Sequence, residues 1–120
     1  MATVAPLVLS GSTDGRGIKV VATATAGTTI HTASATATNY DEIYIYAYNG
    51  HTSDVVLTIE FGGVTVPDDN IIQTIPFKKG LYLAVPGLKI KGNATPLVVR
   101  AFASVTNVIV ITGWVNRFSA

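Results

Sequence analysis

His31 and His51 are the side chains in this 120-residue sequence best suited to moving a proton near neutral pH, and no cysteine adds a thiolate nucleophile or a soft metal ligand. His31 lies in a threonine-rich run and His51 in the turn after Asn49-Gly50, with no acidic or serine motif marking either as catalytic. A catalytic pair would need both to converge with a nucleophile, which linear spacing does not indicate, so both read as surface or turn histidines. Asp68-Asp69-Asn70 offers oxygen ligands but lacks the spaced ladder, glycine and terminal glutamate of a calcium loop, and reads as a turn. Asp14-Gly15-Arg16-Gly17 has the glycines of a phosphate loop without the Lys-Ser/Thr or the helix that would complete one. Asn93-Ala94-Thr95 fits the glycosylation pattern, but Pro96 follows it and no secretion signal precedes it. No cofactor, no metal and no enzymatic activity are expected.

The chemistry that remains is that of contact surfaces. Charged residues make up 12% of the sequence and apolar ones 48%, against roughly 25% charged in an ordinary soluble domain. A surface short of charge is expected to be covered in part by partner subunits, although threonine, serine and asparagine, as in the run from Thr23 to Thr38, also solvate a small β-domain. A net charge of +1 with scattered Lys and Arg gives no case for nucleic acid. The N-terminus lacks a basic and apolar leader, and Thr106, Asn107, Thr112 and Gly113 interrupt the most apolar stretch, so neither a signal peptide nor a membrane span is expected.

The elements that must position these surfaces are strands. Alternation is clearest in Glu42–Tyr48, Val55–Phe61, Leu97–Ala103 and Val108–Phe118. Ile18–Ala22, Val64–Val66, Ile71–Phe77, Leu81–Val85 and Leu88–Lys91 read as shorter strands. Between them stand Asn49-Gly50, taken as a tight reversal, Gly62-Gly63, Lys79-Gly80 and Pro86-Gly87. Turn signals every eight to twelve residues with no helical period predict an all-β fold, an antiparallel β-sandwich or jelly roll of about eight strands. Residues 1–17 read as an extended N-terminal arm and flexible linker, and 18–120 as a single sandwich domain, which at this length buries about two-thirds of its unfolded surface. The arm, with Val4, Pro6 and Leu7, either reaches a neighbouring subunit or pairs at the edge of its own sheet. Gly113 marks a bulge or a close backbone approach.

Two contact faces follow from strand parity. Tyr44, Tyr46 and Tyr48 share one side of their strand, where they suit a subunit contact or a sugar platform. Arg100 and Phe102, taken together with Trp114 and Phe118, form the second, because Trp, Phe and Arg anchor interfaces.

The stretch from Asp41 to Phe118 resembles small virion proteins of tailed bacteriophages, of the head decoration or cement kind. The likeness rests on Asn49-Gly50-His51-Thr52-Ser53-Asp54-Val55, Pro86-Gly87-Leu88 and Gly113-Trp114-Val115-Asn116-Arg117-Phe118. It implies a jelly roll or sandwich, commonly a homotrimer, made in the host cytoplasm and bound on the capsid surface, where it bridges major capsid protein subunits. A tail or fibre component is similar enough to stand beside that reading. The resemblance implies no catalytic residues.

Overall fold

The computed structural model describes residues 3–119, which form nine strands and no helix. They are β1 (Thr3–Val8), β2 (Ile18–Lys19), β3 (Thr28–Thr32), β4 (Tyr40–Asn49), β5 (Val55–Phe61), β6 (Asn70–Ile75), β7 (Tyr82–Lys91), β8 (Val98–Ala103) and β9 (Ile109–Ser119). Every strand pairing is antiparallel, in two sheets that pack face to face. The first sheet runs β1-β9-β4-β7, with β2 also on β9, and the second runs β3-β8-β5-β6.

Parity builds the core. In β4, Ile43, Ile45 and Ala47 point inward, and in β9 Ile109, Ile111 and Val115 do the same. They meet Val55, Leu57 and Ile59 of β5 and Val99, Ala101 and Ala103 of β8, all buried. This is the packing that period-two patterning against a second sheet requires.

Several expectations are corrected. Asn49-Gly50 does not make a hairpin, because β4 and β5 lie in different sheets and the chain crosses between them here. Asn49 is fully buried and organises that crossing: its Nδ2 donates to the carbonyls of Ser53 (3.0 Å) and Ile75 (2.8 Å), and its Oδ1 accepts from His51 N–H (2.8 Å). Replacing it with Ala is expected to cost about 3 kcal/mol in a denaturant titration, since each buried group left unpaired costs about 1–3 kcal/mol. A loss below about 1 kcal/mol would show that water substitutes for the amide.

Val64–Val66 forms no strand and belongs to the turn joining β5 to β6. Leu81–Val85 and Leu88–Lys91 are not two strands but one, β7, which absorbs Pro86-Gly87 through shifts of register opposite Ile43/Tyr44 and Ile45/Tyr46. Gly113 fulfils its expectation: at φ +154 its would-be Cβ stands 1.9 Å from the Tyr44 carbonyl oxygen, a close approach of β9 to β4. Thr58 and Glu60, the polar members of the β5 alternation, are buried. The loop before β3 covers Glu60, whose carboxylate accepts from Thr25 Oγ1 (2.5 Å) and Gly27 N–H (2.7 Å).

Of the two readings of Thr3–Leu9, the structure shows edge pairing. β1 lies along β9, opposite Val115–Ser119 and Trp114, as an edge strand that tolerates Pro6. Leu9 is 1% exposed and sits in the core, while Gly11 N–H bonds the carbonyl of Ile30, so the chain crosses here from the first sheet to the margin of the second.

Candidate functional site

Two places gather the chain's chemically distinctive side chains: an ionic cluster between the sheets and the outer face of the first sheet.

The cluster joins three elements. β3 contributes His31, β4 contributes Asp41 from the inward parity of Ile43 and Ile45, and β9 contributes Arg117 from the inward parity of Ile111 and Val115. His31 Nε2 lies 2.7 Å from Asp41 Oδ2, and Arg117 donates through Nε to Oδ1 (2.7 Å) and through Nη2 to Oδ2 (2.9 Å), a two-pronged pair. Ser10 N–H donates to His31 Nδ1 at 3.1 Å. That nitrogen must therefore carry a lone pair, which puts the proton of a neutral ring on Nε2, facing Asp41.

The electrostatics follow. Burial holds the His31 pKa below its ordinary 6.5, outweighing the hydrogen bond and charge of Asp41, with the Arg117 charge acting in the same direction as burial. For Asp41, burial alone would raise the carboxyl; the hydrogen bonds from Arg117 and His31 outweigh it and leave the pKa below 3.8. A serine, a histidine and an aspartate thus meet, but the serine presents its amide to the ring. Its hydroxyl accepts Thr32 N–H at 2.6 Å, and His31 is 1% exposed. The arrangement supports an ion network that ties strands together; it does not deliver a hydroxyl to an accessible base.

The outer face of the first sheet carries a cluster of aromatic residues. Register places Tyr44 opposite Trp114, Tyr40 opposite Phe118 and Glu42 opposite Asn116, and side chains directly opposite one another share a face. Tyr44 stacks on Trp114 with centroids 4.5 Å apart and planes 14° from parallel, Tyr40 stacks on Phe118 at 4.7 Å and 11°, and Tyr46 approaches Trp114 at 6.1 Å. The Tyr44 ring also fills the space where a Cβ on Gly87 would stand, at 2.9–3.0 Å.

Glu42 sits among these rings, accepting from Tyr44 Oη and Asn116 Nδ2 (both 3.1 Å) and pairing with Lys89 Nζ at 3.3 Å. The Asn116 bond, helped by Tyr44 and Lys89, holds the Glu42 pKa low, and the donation to Glu42 raises that of Tyr44. Val4 and Val8 of β1, opposite Phe118 and Trp114, extend the apolar area at 55% and 52% exposed, and Trp114 itself is 39% exposed.

The face the sequence grouped as Arg100, Phe102, Trp114 and Phe118 is divided. Trp114 and Phe118 join the tyrosines, whereas Arg100 and Phe102 project from β8 on the far side of the second sheet, opposite Glu60 and Thr58. Of the arm residues, Val4 and Pro6 share the aromatic face, and Leu7 turns inward against the core. Tyr48 lies on the same face as Tyr44 and Tyr46, opposite Val110.

His31 and His51 do not share a site: His31 contacts Asp41 at one end of β4 and His51 follows Asn49 at the other, roughly 26 Å away at the rise of a strand. Asp69 is a turn residue whose Oδ2 accepts Thr65 N–H at 3.0 Å. Among the described residues no group of three His, Asp or Glu side chains is placed to hold a metal ion. Comparison with protein-family models, curated proteins and solved structures finds no match to this chain.

Proposed function

We propose that the chain is a non-enzymatic virion structural protein, a capsid decoration or cement protein that binds the outer capsid surface through the aromatic face of its first sheet. The observation that carries this reading is the face itself: two stacked aromatic pairs on central strands, flanked by exposed Val4 and Val8. Exposed aromatic rings, held rigid before contact, are what a partner desolvates at low entropic cost. The partners on this reading are a second and third copy of the chain and the major capsid protein. The strand orders β1-β9-β4-β7 and β3-β8-β5-β6 support a jelly roll, with β1 and β2 together serving as its first strand. On that view β1 is the extended arm, folded back on its own chain until a neighbour receives it.

A sugar platform is the second reading, favoured by the polar Glu42, Asn116 and Lys89 among the rings. Against it, Tyr44 has Trp114 on one side and the Gly87 backbone beside it, which leaves little of its ring for stacking.

The test is binding to expanded tailed-phage capsids that lack their decoration protein, with the assembly mass read by light scattering. Trp114→Ala is expected to cost about 2 kcal/mol of binding, roughly thirtyfold, as for a central interface anchor, while Phe102→Ala on the opposite sheet leaves binding intact. No binding by the unaltered protein, or equal loss from both substitutions, overturns the proposal. Glycan-array binding abolished by Tyr46→Ala would assign the face to a carbohydrate instead.

A further inference from the structure

β1 is the one strand of the nine with no fully buried side chain. It pairs with β9 alone, and of its side chains only Leu7 is even half-buried. What ties it to the second sheet is the crossing that follows: Leu9 in the core, Ser10 N–H on His31 Nδ1, Ser10 Oγ under Thr32 N–H, and Gly11 N–H on the Ile30 carbonyl. One of these ties depends on a proton being absent. A hydrogen on Nδ1 would face the Ser10 N–H across 3.1 Å, donor against donor. The charged groups facing His31 are Asp41 from β4 and Arg117 from β9; the crossing itself, Leu9–Ser12, brings none, and β8 places Val99 opposite the histidine.

We propose that His31 is a proton-operated latch on the N-terminal strand: protonation at Nδ1 breaks the Ser10 tie, frees Leu9–Ser12 from β3, and lets β1 leave β9 while the rest of the sandwich stays folded. The proton taken up remains on the ring, where Nε2 keeps its bond to the Asp41 carboxylate and Nδ1 turns to water admitted by the departing segment. Burial resists this protonation, so the latch opens below the ordinary histidine range. The exposed edge of β9 is then available to another strand. The inference does not depend on which partner the aromatic face binds.

The whole protein carries its own reporter, because Trp114, its single tryptophan, lies opposite Val8 in the β1–β9 pair. As pH falls from 7.5, Trp114 emission is expected to shift to the red and amide protection of Ala5, Leu7, Ser10 and Gly11 to drop, after correction for intrinsic exchange. The drop should follow the ring signals of His31 in NMR, by about tenfold per pH unit for one linked proton. Protection in β5 and β8 should hold. His31→Gln is expected to remove the transition; should that variant fail to fold, the exchange pattern of the unaltered protein decides. Loss of protection in β1, β5 and β8 together, or titration of His31 with β1 still protected, would overturn the latch.

Discussion

Asp41→Ala is expected to destabilise the protein by about 3–5 kcal/mol, the loss that follows when one partner of a buried ionic cluster is removed. Two donors are orphaned at once. Arg117, 29% exposed, can turn to water, but His31, 1% exposed, cannot, and its Nε2–H is left in an apolar interior. A domain of this size has about 5–15 kcal/mol of stability in total, so the variant should show a large fall in its urea midpoint with an unchanged slope. A loss under about 1 kcal/mol would mean that the cluster contributes nothing beyond filling space.

The same cluster sets the acid limit. His31 has its folded pKa below the ordinary 6.5, so the unfolded chain takes up a proton that the native chain resists. Its contribution is complete above about pH 6.5 and is lost as pH falls below that value towards the folded pKa. Asp41, also lowered in the folded state, contributes above its ordinary 3.8 and is lost as pH falls further. Stability should therefore decline on acidification in two stages, the histidine first.

Gly113→Ala is the second substitution expected to act strongly, by about 3 kcal/mol or more. The added Cβ would stand 1.9 Å from the Tyr44 carbonyl oxygen, 3.0 Å from its carbonyl carbon and 3.2 Å from Ile45 Cα. All three are backbone atoms of the neighbouring central strand, which no rotamer change can move, and the φ of +154 disfavours any L side chain as well. The β4–β9 pair must part, and the Tyr44–Trp114 stack with it. Gly80→Ala is the control: its Cβ meets nothing within 4 Å, so only the strain of φ +79 remains, about 1–2 kcal/mol. Thermal unfolding followed by tryptophan emission should separate the two, and equal shifts would refute the steric account.

The strands legible in the sequence were those whose alternation is buried on one side and polar or aromatic on the other, β4, β8 and β9 above all. Gly113 was legible because an isolated strand glycine has few other reasons to be there. The ionic cluster was not, since its members are separated by ten and seventy-six residues and meet only through sheet pairing. A signal was nevertheless present. Asp41 and Asn49 hold the same parity as Ile43, Ile45 and Ala47, which places a polar residue inside at each end of β4, and Arg117 shares the parity of Ile111 and Val115. Read strictly, period two asks for a buried partner at each of those positions. Glu60 is the opposite case: its parity in β5 is outward, yet a loop distant in sequence covers it. Pro86-Gly87 looks like a separator in the sequence because a bulge and a turn use the same residues.

At the margins of the first sheet β1 carries Pro6 and β7 carries Pro86, and β7 is further broken by its two changes of register. A lattice of strands extended sideways, chain after chain, therefore meets a missing donor at either margin.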